Sequence, residues 1–273
     1  MSAEHKSNFT LNTTNGNGVD ILSVSSDGLL LVGQYDDRQL HVYSADCRHV
    51  KSIKLPNNDK AWDAVWTRHG NIVYSEYDSG KVVTMSQSGD VIQQTNVSKP
   101  TFLSVSTDGV IYLISDNCTS VYQSTDHGVT WSHVFHVTDG WECWQVIQVS
   151  TDSNTDALWT VVRSDEDWRL RVYTVDRRRA VGDNVTWRDV TVPSHVTVNL
   201  GLSNLVYDGH SVFVTDYWKK AVHVWSVSGQ YDRQLVSPQQ LVSHAWGVAV
   251  DSQRHVMYVG HWKGTVGVFK LTY

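Results

Sequence analysis

The feature that most constrains this chain is a tight turn that recurs between alternating apolar segments. Asp27-Gly28, Asp108-Gly109 and Asp208-Gly209 each separate two such segments, and His69-Gly70 takes the same place in a fourth pair. Alternation with a period of two predicts strands, and Asp-Gly between two strands is typical of a hairpin. The first three of these turns in chain order lie 42 and 39 residues apart. A period of about 40 residues with several short strands in each unit predicts a β-propeller.

The repeat divides the chain of 273 residues into six blades. We place them at about residues 19–55, 61–97, 100–137, 141–192, 199–236 and 245–273. The sixth blade has only three strands, and the segment 7–13 alternates Phe9 and Leu11 without belonging to another blade. We expect this segment to close the ring by adding the outer strand of the sixth blade. The predicted fold is all-β, a single-domain six-bladed β-propeller of four-stranded antiparallel blades, closed by an N-terminal strand that joins the C-terminal blade.

Composition narrows the possible partners. With 41% hydrophobic and 18% charged residues the chain can bury a large core, and a net charge of −6 makes nucleic acid an unlikely partner. The three cysteines, Cys47, Cys118 and Cys143, are too few for a disulfide framework and match no zinc-site spacing. No apolar run approaches a membrane span, and the N-terminus carries no signal-peptide pattern. We therefore expect a cytoplasmic protein with no membrane partner, and its oligomeric state stays open.

Two stretches resemble a known repeat. The segments "VYDGHSVFVTDYWKKAVHVWSVSGQ" (206–230) and "AWGVAVDSQRHVMYVGHWKGTVGVF" (245–269) resemble NHL repeats, in which a Gly-Val-Ala-Val-Asp strand is followed by a glycine turn and a Tyr-Val-Ala-Asp strand. The resemblance covers blades one, two, five and six, and blade four poorly. It is closest in character to the C-terminal NHL domains of the tripartite-motif (TRIM) ubiquitin-ligase family. That resemblance implies a non-catalytic module that binds protein or RNA.

A single segment departs from this pattern. "STDHGVTW" (124–131) matches the Asp-box, Ser-x-Asp-x-Gly-x-Thr-Trp, residue by residue. The resemblance implies a turn between the third and fourth strands of a blade, with Asp126 accepting backbone N–H groups and Trp131 packing inward. Asp-boxes occur in sialidases and other carbohydrate-active propellers, away from their active sites. The box therefore predicts structure and not activity, and nothing else in the chain marks a sialidase site.

The candidate site lies on the face of the propeller where the inner strands begin. The loops between second and third strands open on the same face, so residues at both places are free to serve binding. Large aromatic side chains recur there beside acidic residues, which is typical of binding surfaces for protein segments or sugar rings. The predicted ligand-binding residues are Trp62, Asp63, Trp144 and Trp246 at the inner-strand starts, with Tyr35, Tyr77, Tyr217, Trp218 and Trp262 in the loops.

These residues favour a non-catalytic interaction module that recognises a protein or glycan ligand on an aromatic, acidic face. We expect no catalytic residues, no metal and no cofactor. An RNA-binding NHL domain is one alternative, with Lys219-Lys220 near the face and Arg177-Arg178-Arg179 on the opposite side. Acidic residues crowd the same rim and would repel phosphate: Asp36, Asp37, Asp63, Glu76, Asp78, Asp165, Glu166 and Asp167.

A metal-dependent lactonase- or lyase-like enzyme is the other alternative. Six-bladed relatives of this kind need carboxylate, Asn or His side chains that converge on the central channel. Candidates near the inner-strand starts are Asp20, Asp63, Asn199, Asn204 and His244. Phe102, Leu202 and Trp246 occupy the matching places in other blades, and an apolar tunnel suits a metal badly. Sequence motifs of nucleophilic serine hydrolases, nucleotide-binding loops and HExxH metalloproteases do not occur in the chain.

Overall fold

The fold is described by a computed structural model. The structure describes residues 1–11, 18–35, 37–138, 140–150, 155–165, 167–176, 185–197 and 201–273. Within these ranges the chain forms 24 strands in six four-stranded antiparallel sheets, which confirms the predicted six-bladed β-propeller. Neighbouring inner strands contact one another around the whole ring, so the six blades surround a central channel.

The strands follow one another in a simple order along the chain. The first strand is β1 (Ser2–Thr10). Blade 1 comprises β2 (Ile21–Val24), β3 (Leu30–Gly33), β4 (Gln39–Tyr43) and β5 (His49–Lys54). Blade 2 comprises β6 (Asp63–Trp66), β7 (Ile72–Glu76), β8 (Lys81–Met85) and β9 (Val91–Asn96). Blade 3 comprises β10 (Leu103–Val105), β11 (Ile111–Ser115), β12 (Ser120–Ser124) and β13 (Ser132–His136).

Blade 4 comprises β14 (Glu142–Ser150), β15 (Thr155–Arg163), β16 (Trp168–Asp176) and β17 (Val185–Asp189). Blade 5 comprises β18 (Leu202–Tyr207), β19 (Ser211–Asp216), β20 (Ala221–Ser226) and β21 (Tyr231–Val236). Blade 6 comprises β22 (Ala245–Asp251), β23 (Val256–His261) and β24 (Thr265–Thr272), together with β1.

Helical structure is minor in the described part of the chain. A 3₁₀ turn spans Pro56–Asn58, and a single helical turn, α1, spans Ser194–Thr197. Neither of these segments has the length and apolar character needed to cross a membrane.

The N-terminal strand closes the ring, as predicted, but with different bounds. β1 pairs antiparallel with β24 from Ser2 opposite Thr272 to Thr10 opposite Thr265, as the outer strand of blade 6. The sequence predicted this strand at 7–13, of which residues 12 and 13 lie outside the described ranges. β1 begins five residues earlier than predicted because β24 continues to Thr272. The last residues of β24 pair with Ser2 and Ala3 of β1.

The recurring turns have a local cause that the sequence carries. In the turn between β2 and β3, the Ser25 hydroxyl donates to Asp27 (2.6 Å) and accepts the backbone N–H of Leu29 (2.8 Å). The glycine that follows the aspartate has a φ of 86°, a conformation that side-chain-bearing residues rarely adopt. Ser106 repeats the same pair of hydrogen bonds in blade 3. A short Ser-x-Asp-Gly segment therefore reverses the chain between the first and second strands of these two blades.

The core lies between the blades. Among the described residues, the buried apolar side chains form six clusters, and each cluster joins two neighbouring blades. Trp66 and Tyr74 fill the space between blades 1 and 2, and Trp159 and Trp225, both fully buried, fill the space between blades 4 and 5. Each blade thus buries its two faces against its neighbours, and the ring stabilises itself only when it is closed.

The connection between β12 and β13 is held by side-chain hydrogen bonds. Asp126 accepts the backbone N–H (2.9 Å) and the hydroxyl (2.6 Å) of Thr130, and the Ser124 hydroxyl accepts the N–H of Gly128 (2.8 Å). Trp131 packs half-buried against the cluster between blades 2 and 3. The Asp-box identity of this segment stays a prediction.

The closing strand leads to a stability prediction. Phe9 of β1 packs against the cluster between blades 6 and 1, with its ring centroid 4.7 Å from that of Tyr43. We expect Phe9→Ala to lower the free energy of unfolding by about 1–3 kcal/mol, because it removes a half-buried aromatic side chain that ties the two ends of the ring. Ser7→Ala, at an exposed position of the same strand, is the control. Equal urea-unfolding midpoints for the two variants would contradict this role of β1.

Candidate functional site

The face on which the inner strands begin contains an aromatic cavity at the entrance to the central channel. Its volume is about 330 Å³. We call it the aromatic mouth, and its lining residues are Gly18, Asp20, Tyr35, Trp62, Phe102, Trp144, Trp246 and Trp262. Asp20 is the only charged residue among these described lining residues, which otherwise form an apolar, aromatic surface at the entrance to the channel.

Breaks in the inner-strand pairing direct two of these tryptophans into the mouth. The register between β14 and β15 shifts at Trp144, between Cys143 and Gln145, and the register between β22 and β23 shifts at Trp246. A bulge inserts a residue that has no direct partner and changes the direction of its side chain, which is why bulges are common beside functional sites. The same kind of shift occurs in β18, where Asn204 turns to the channel.

Ring contacts connect the aromatic side chains of the mouth in two groups. In the first, Trp62 has ring-centroid distances of 4.7 Å to Tyr35 and 6.2 Å to Phe102, and Phe102 continues to Trp144 at 5.8 Å. In the second, Trp246 and Trp262 are 5.5 Å apart. Each ring therefore restricts its neighbour, and the mouth is formed before any ligand arrives.

The structure brings five of the nine predicted binding residues into the mouth itself: Tyr35, Trp62, Trp144, Trp246 and Trp262. Three others surround these five. Tyr77 contacts Trp62 at 5.0 Å, Tyr217 contacts Trp246 at 5.2 Å, and Trp218 packs against Tyr217 with more than half of its surface exposed. The ninth, Asp63, lies deeper in the channel. Their functional role stays a prediction.

Sequence reasoning missed Gly18, which permits the approach of Trp262. A Cβ at Gly18 would lie 3.1 Å from Cε3 of that indole and 3.2 Å from its Cα. A side chain here would push against the tryptophan and reshape the mouth. Gly18 ends an Asn- and Gly-rich stretch that is typical of an ordinary loop, and nothing local in the sequence marks the contact.

Below the aromatic mouth, the lining of the channel becomes more polar. A second cavity of about 270 Å³ runs along the inner strands and is lined by many hydroxyl and amide side chains, including those of Ser23, Ser104, Gln145 and Asn204. Asp20 lines both cavities and so lies where they meet. The channel therefore joins an aromatic entrance to a polar interior at the level of a carboxylate.

Asp63 is a carboxyl group of this channel with a strongly raised pKa. Burial raises its pKa from 3.8 to about 7, and the nearby charge of Asp20 acts in the same direction. The backbone N–H groups of Leu103 and Ala64, each at 2.8 Å from one carboxylate oxygen, oppose this rise and hold the group in place. The result is a fixed carboxyl group that is close to half ionised at neutral pH.

A metal centre does not fit the residues of this channel. Among the described residues, no group of three or more His, Cys, Asp or Glu side chains is arranged to hold a metal ion. The two carboxyl groups, Asp20 and Asp63, each already accept backbone N–H groups. His244 makes its contacts with Tyr217: its ring stacks on the tyrosine ring, and its Nδ1 atom lies 2.8 Å from the tyrosine carbonyl oxygen.

Other sequence expectations change in the structure. Leu202 is fully buried in the core between blades 4 and 5 and does not reach the channel, because the bulge in β18 presents Asn204 instead. The predicted acidic rim is broken up by pairing and burial. Asp37 contacts His41, Asp167 pairs with Arg169, and Glu76 is buried and accepts the N–H of Ser79. The predicted positions that lie outside the described residues are Asp36, Glu166, Arg177, Arg178, Arg179 and Asn199.

Comparison with solved structures finds the same fold in proteins of known activity. A virginiamycin B lyase from Staphylococcus aureus is 12% identical, with a TM-score of 0.67 over 99% of this chain and 100% of that chain. A catalytically inactive variant of that lyase, solved with quinupristin, is 14% identical, with a TM-score of 0.65 over 97% of this chain and 99% of that chain. A gluconolactonase from Xanthomonas campestris is 13% identical, with a TM-score of 0.72 over 94% of this chain and 87% of that chain. No protein-family model and no curated protein matches the chain.

These findings correct the expectation of a non-catalytic interaction module. Solved structures that match nearly the whole chain include lyases and a lactonase, which speaks against the protein- or glycan-binding module that the sequence suggested. The aromatic residues that suggested a binding surface also line the entrance of a channel. At 12–14% identity the similarity establishes the six-bladed fold, and the NHL and TRIM resemblances stay predictions.

The buried carboxyl group predicts a pH-dependent stability. Between about pH 4 and about pH 7, folded Asp63 retains a proton that the unfolded chain releases, so the free energy of unfolding falls as the pH rises through this window. The rise of the pKa sets an upper limit of about 4 kcal/mol on this loss. Urea unfolding across the window should show that the stability of the wild type relative to Asp63→Asn falls as the pH rises, because the contribution of other groups such as His261 is common to both proteins. Asp78→Asn, exposed in the same blade, should keep the pH profile of the wild type, and a profile of Asp63→Asn that parallels the wild type contradicts the assignment.

Proposed function

We propose that this protein is an enzyme that opens a cyclic ester, with the aromatic mouth receiving the substrate and Asp63 acting as the general base. The observation that carries the proposal is the position of Asp63 in the channel, with a pKa raised to about 7. The similarity of the fold to lyases and to a gluconolactonase supports the choice of reaction.

A carboxyl group with this pKa is suited to moving protons at neutral pH. A general base works best when its pKa lies near the working pH, because it is then ionised often enough and still basic enough to take a proton. The two backbone N–H groups fix the orientation of Asp63 before the substrate binds. Burial keeps this pKa high, and the charge of Asp20, at the junction of the two cavities, adds to the effect.

Two ways of opening the ring use the same base. In an elimination, Asp63 takes a proton from carbon, the ring C–O bond breaks, and the departing carboxyl group leaves without addition of water. In a hydrolysis, Asp63 takes a proton from a water molecule, whose oxygen adds to the ester carbonyl before the ring C–O bond breaks. The products differ in mass by one water molecule, so the reaction can be assigned directly.

The mouth favours a substrate with a large apolar face. Four tryptophans, a tyrosine and a phenylalanine line it, and flat or apolar rings stack on such side chains. Ester groups carry no charge and can pass this surface into the polar channel below, where hydroxyl and amide groups line the walls.

The test is turnover of a panel of cyclic esters: virginiamycin B, quinupristin, a gluconolactone and a series of aryl-substituted lactones. We expect ring opening of at least one member, with kcat/KM rising with pH through an apparent pKa of about 7. Asp63→Asn should lower kcat/KM by roughly 100-fold or more. Mass spectrometry of the product distinguishes elimination from hydrolysis.

Asp78→Asn serves as the matched control for the loss of a carboxylate, and circular dichroism checks that both variants are folded. The proposal is wrong if no cyclic ester of the panel is opened, or if Asp63→Asn turns over its substrate as fast as the wild type.

A further inference from the structure

We infer that the aromatic mouth selects substrates that carry an organic cation, namely a quaternary or trimethylated ammonium group, with Asp20 as its counter-charge. The inference deepens the proposed function, since it assumes that the mouth is where the substrate of that reaction binds. It concerns the substrate class and is independent of which bond is broken.

The composition of the mouth carries the first part of the argument. Of the eight described residues that line it, six are aromatic, one is glycine, and the only charged one, Asp20, is acidic. The face of an aromatic ring is electron-rich and attracts cations, most strongly in tryptophan, and aromatic cages are a recurring solution for quaternary ammonium groups. A carboxylate at the base of such a cage adds a full negative charge where the cation would sit.

Rings of this network already contact cations of the protein. The Arg163 guanidinium carbon lies 5.2 Å from the ring centroid of Trp144 and 5.3 Å from that of Trp168, and the Lys99 ammonium lies 4.6 Å from that of Tyr77. These distances are within the range of cation–π attraction. Neither basic side chain is among the residues that line the mouth. The rings of Trp62, Trp246 and Trp262 line the mouth as well, and they offer the same kind of surface to a ligand.

A neutral polar ligand fits the mouth less well. A sugar ring needs several hydrogen-bonding groups around its hydroxyls in addition to a stacking surface. Asp20 is the one charged hydrogen-bonding side chain that the lining offers, and it already accepts the backbone N–H of Tyr35 at 3.1 Å. A trimethylammonium group needs no hydrogen bonds, only electron-rich surface and a counter-charge.

The test compares two ligands of the same shape and different charge. Choline carries a trimethylammonium group, and 3,3-dimethyl-1-butanol replaces it with a neutral tert-butyl group. We expect choline to bind at least about tenfold more tightly by isothermal titration calorimetry. Its N-methyl NMR signal should also move upfield, because methyl groups above aromatic faces lie in their ring currents.

Three variants locate the site. Asp20→Asn keeps an acceptor for the Tyr35 N–H and should weaken choline binding while leaving binding of the neutral isostere unchanged. Trp246→Leu should weaken choline binding by roughly 3- to 30-fold, the range expected for one cation–π contact. Trp187→Leu, which removes a half-exposed tryptophan from the outer strand of blade 4, should change nothing. Thermal unfolding of each variant verifies that it is folded.

The inference is overturned if choline and its neutral isostere bind equally, or if folded wild-type protein shifts no choline signal at millimolar concentration. These outcomes are separate from those of the turnover test. If the protein opens a neutral cyclic ester and choline does not inhibit this reaction, the cation preference is wrong and the ring-opening activity is supported. If choline binds at the mouth and no cyclic ester is turned over, the cation preference is supported and the ring-opening activity is wrong.

Discussion

Burial between neighbouring blades is the interaction on which the rest of this structure depends. Each of the six apolar clusters takes side chains from two blades, so a single blade would leave both of its faces exposed. The favourable free energy of this burial is complete only when the sixth blade meets the first. Closure by β1, which links the beginning of the chain to β24, is therefore a condition of stability and also sets the size of the channel.

The same packing explains why the functional features lie along the channel. The middle strands are packed between neighbouring blades on both faces, and most of their side chains belong to the apolar clusters. The inner strands have one open edge, and hydrogen bonds across that edge join adjacent blades, as when Asp63 accepts the N–H of Leu103. A middle strand adds another such bond, since the Ser75 hydroxyl donates to the carbonyl of Thr101. Bulges in β14, β18 and β22 then turn chosen side chains into the channel.

Asp63 combines a structural contact with the chemical role that we propose for it. Its hydrogen bond from the N–H of Leu103 joins blade 2 to blade 3, and the N–H of Ala64 in its own strand holds the other carboxylate oxygen. Burial keeps its pKa near neutrality despite these two bonds. A group that is held by the fold and still able to exchange a proton is what an acid–base reaction requires. In the proposed function, the aromatic mouth above it supplies the complementary part, a surface on which the substrate would bind.

The architecture and five residues of the aromatic mouth could be predicted from the sequence. The Ser-x-Asp-Gly turns, the period of about 40 residues and the missing strand of blade 6 are local patterns, and they led to the correct fold and to five of the eight residues of the mouth. Local patterns could not show that Leu202 is core while Asn204 faces the channel, because that depends on a bulge. They could not show that Gly18 accommodates Trp262, or that burial and Asp20 together raise the pKa of Asp63. The periodicity of a strand depends on neighbouring residues in the sequence. The burial of a side chain, and which side chains of the six blades meet at the channel, depend on residues far apart in the sequence that come together only in the closed ring.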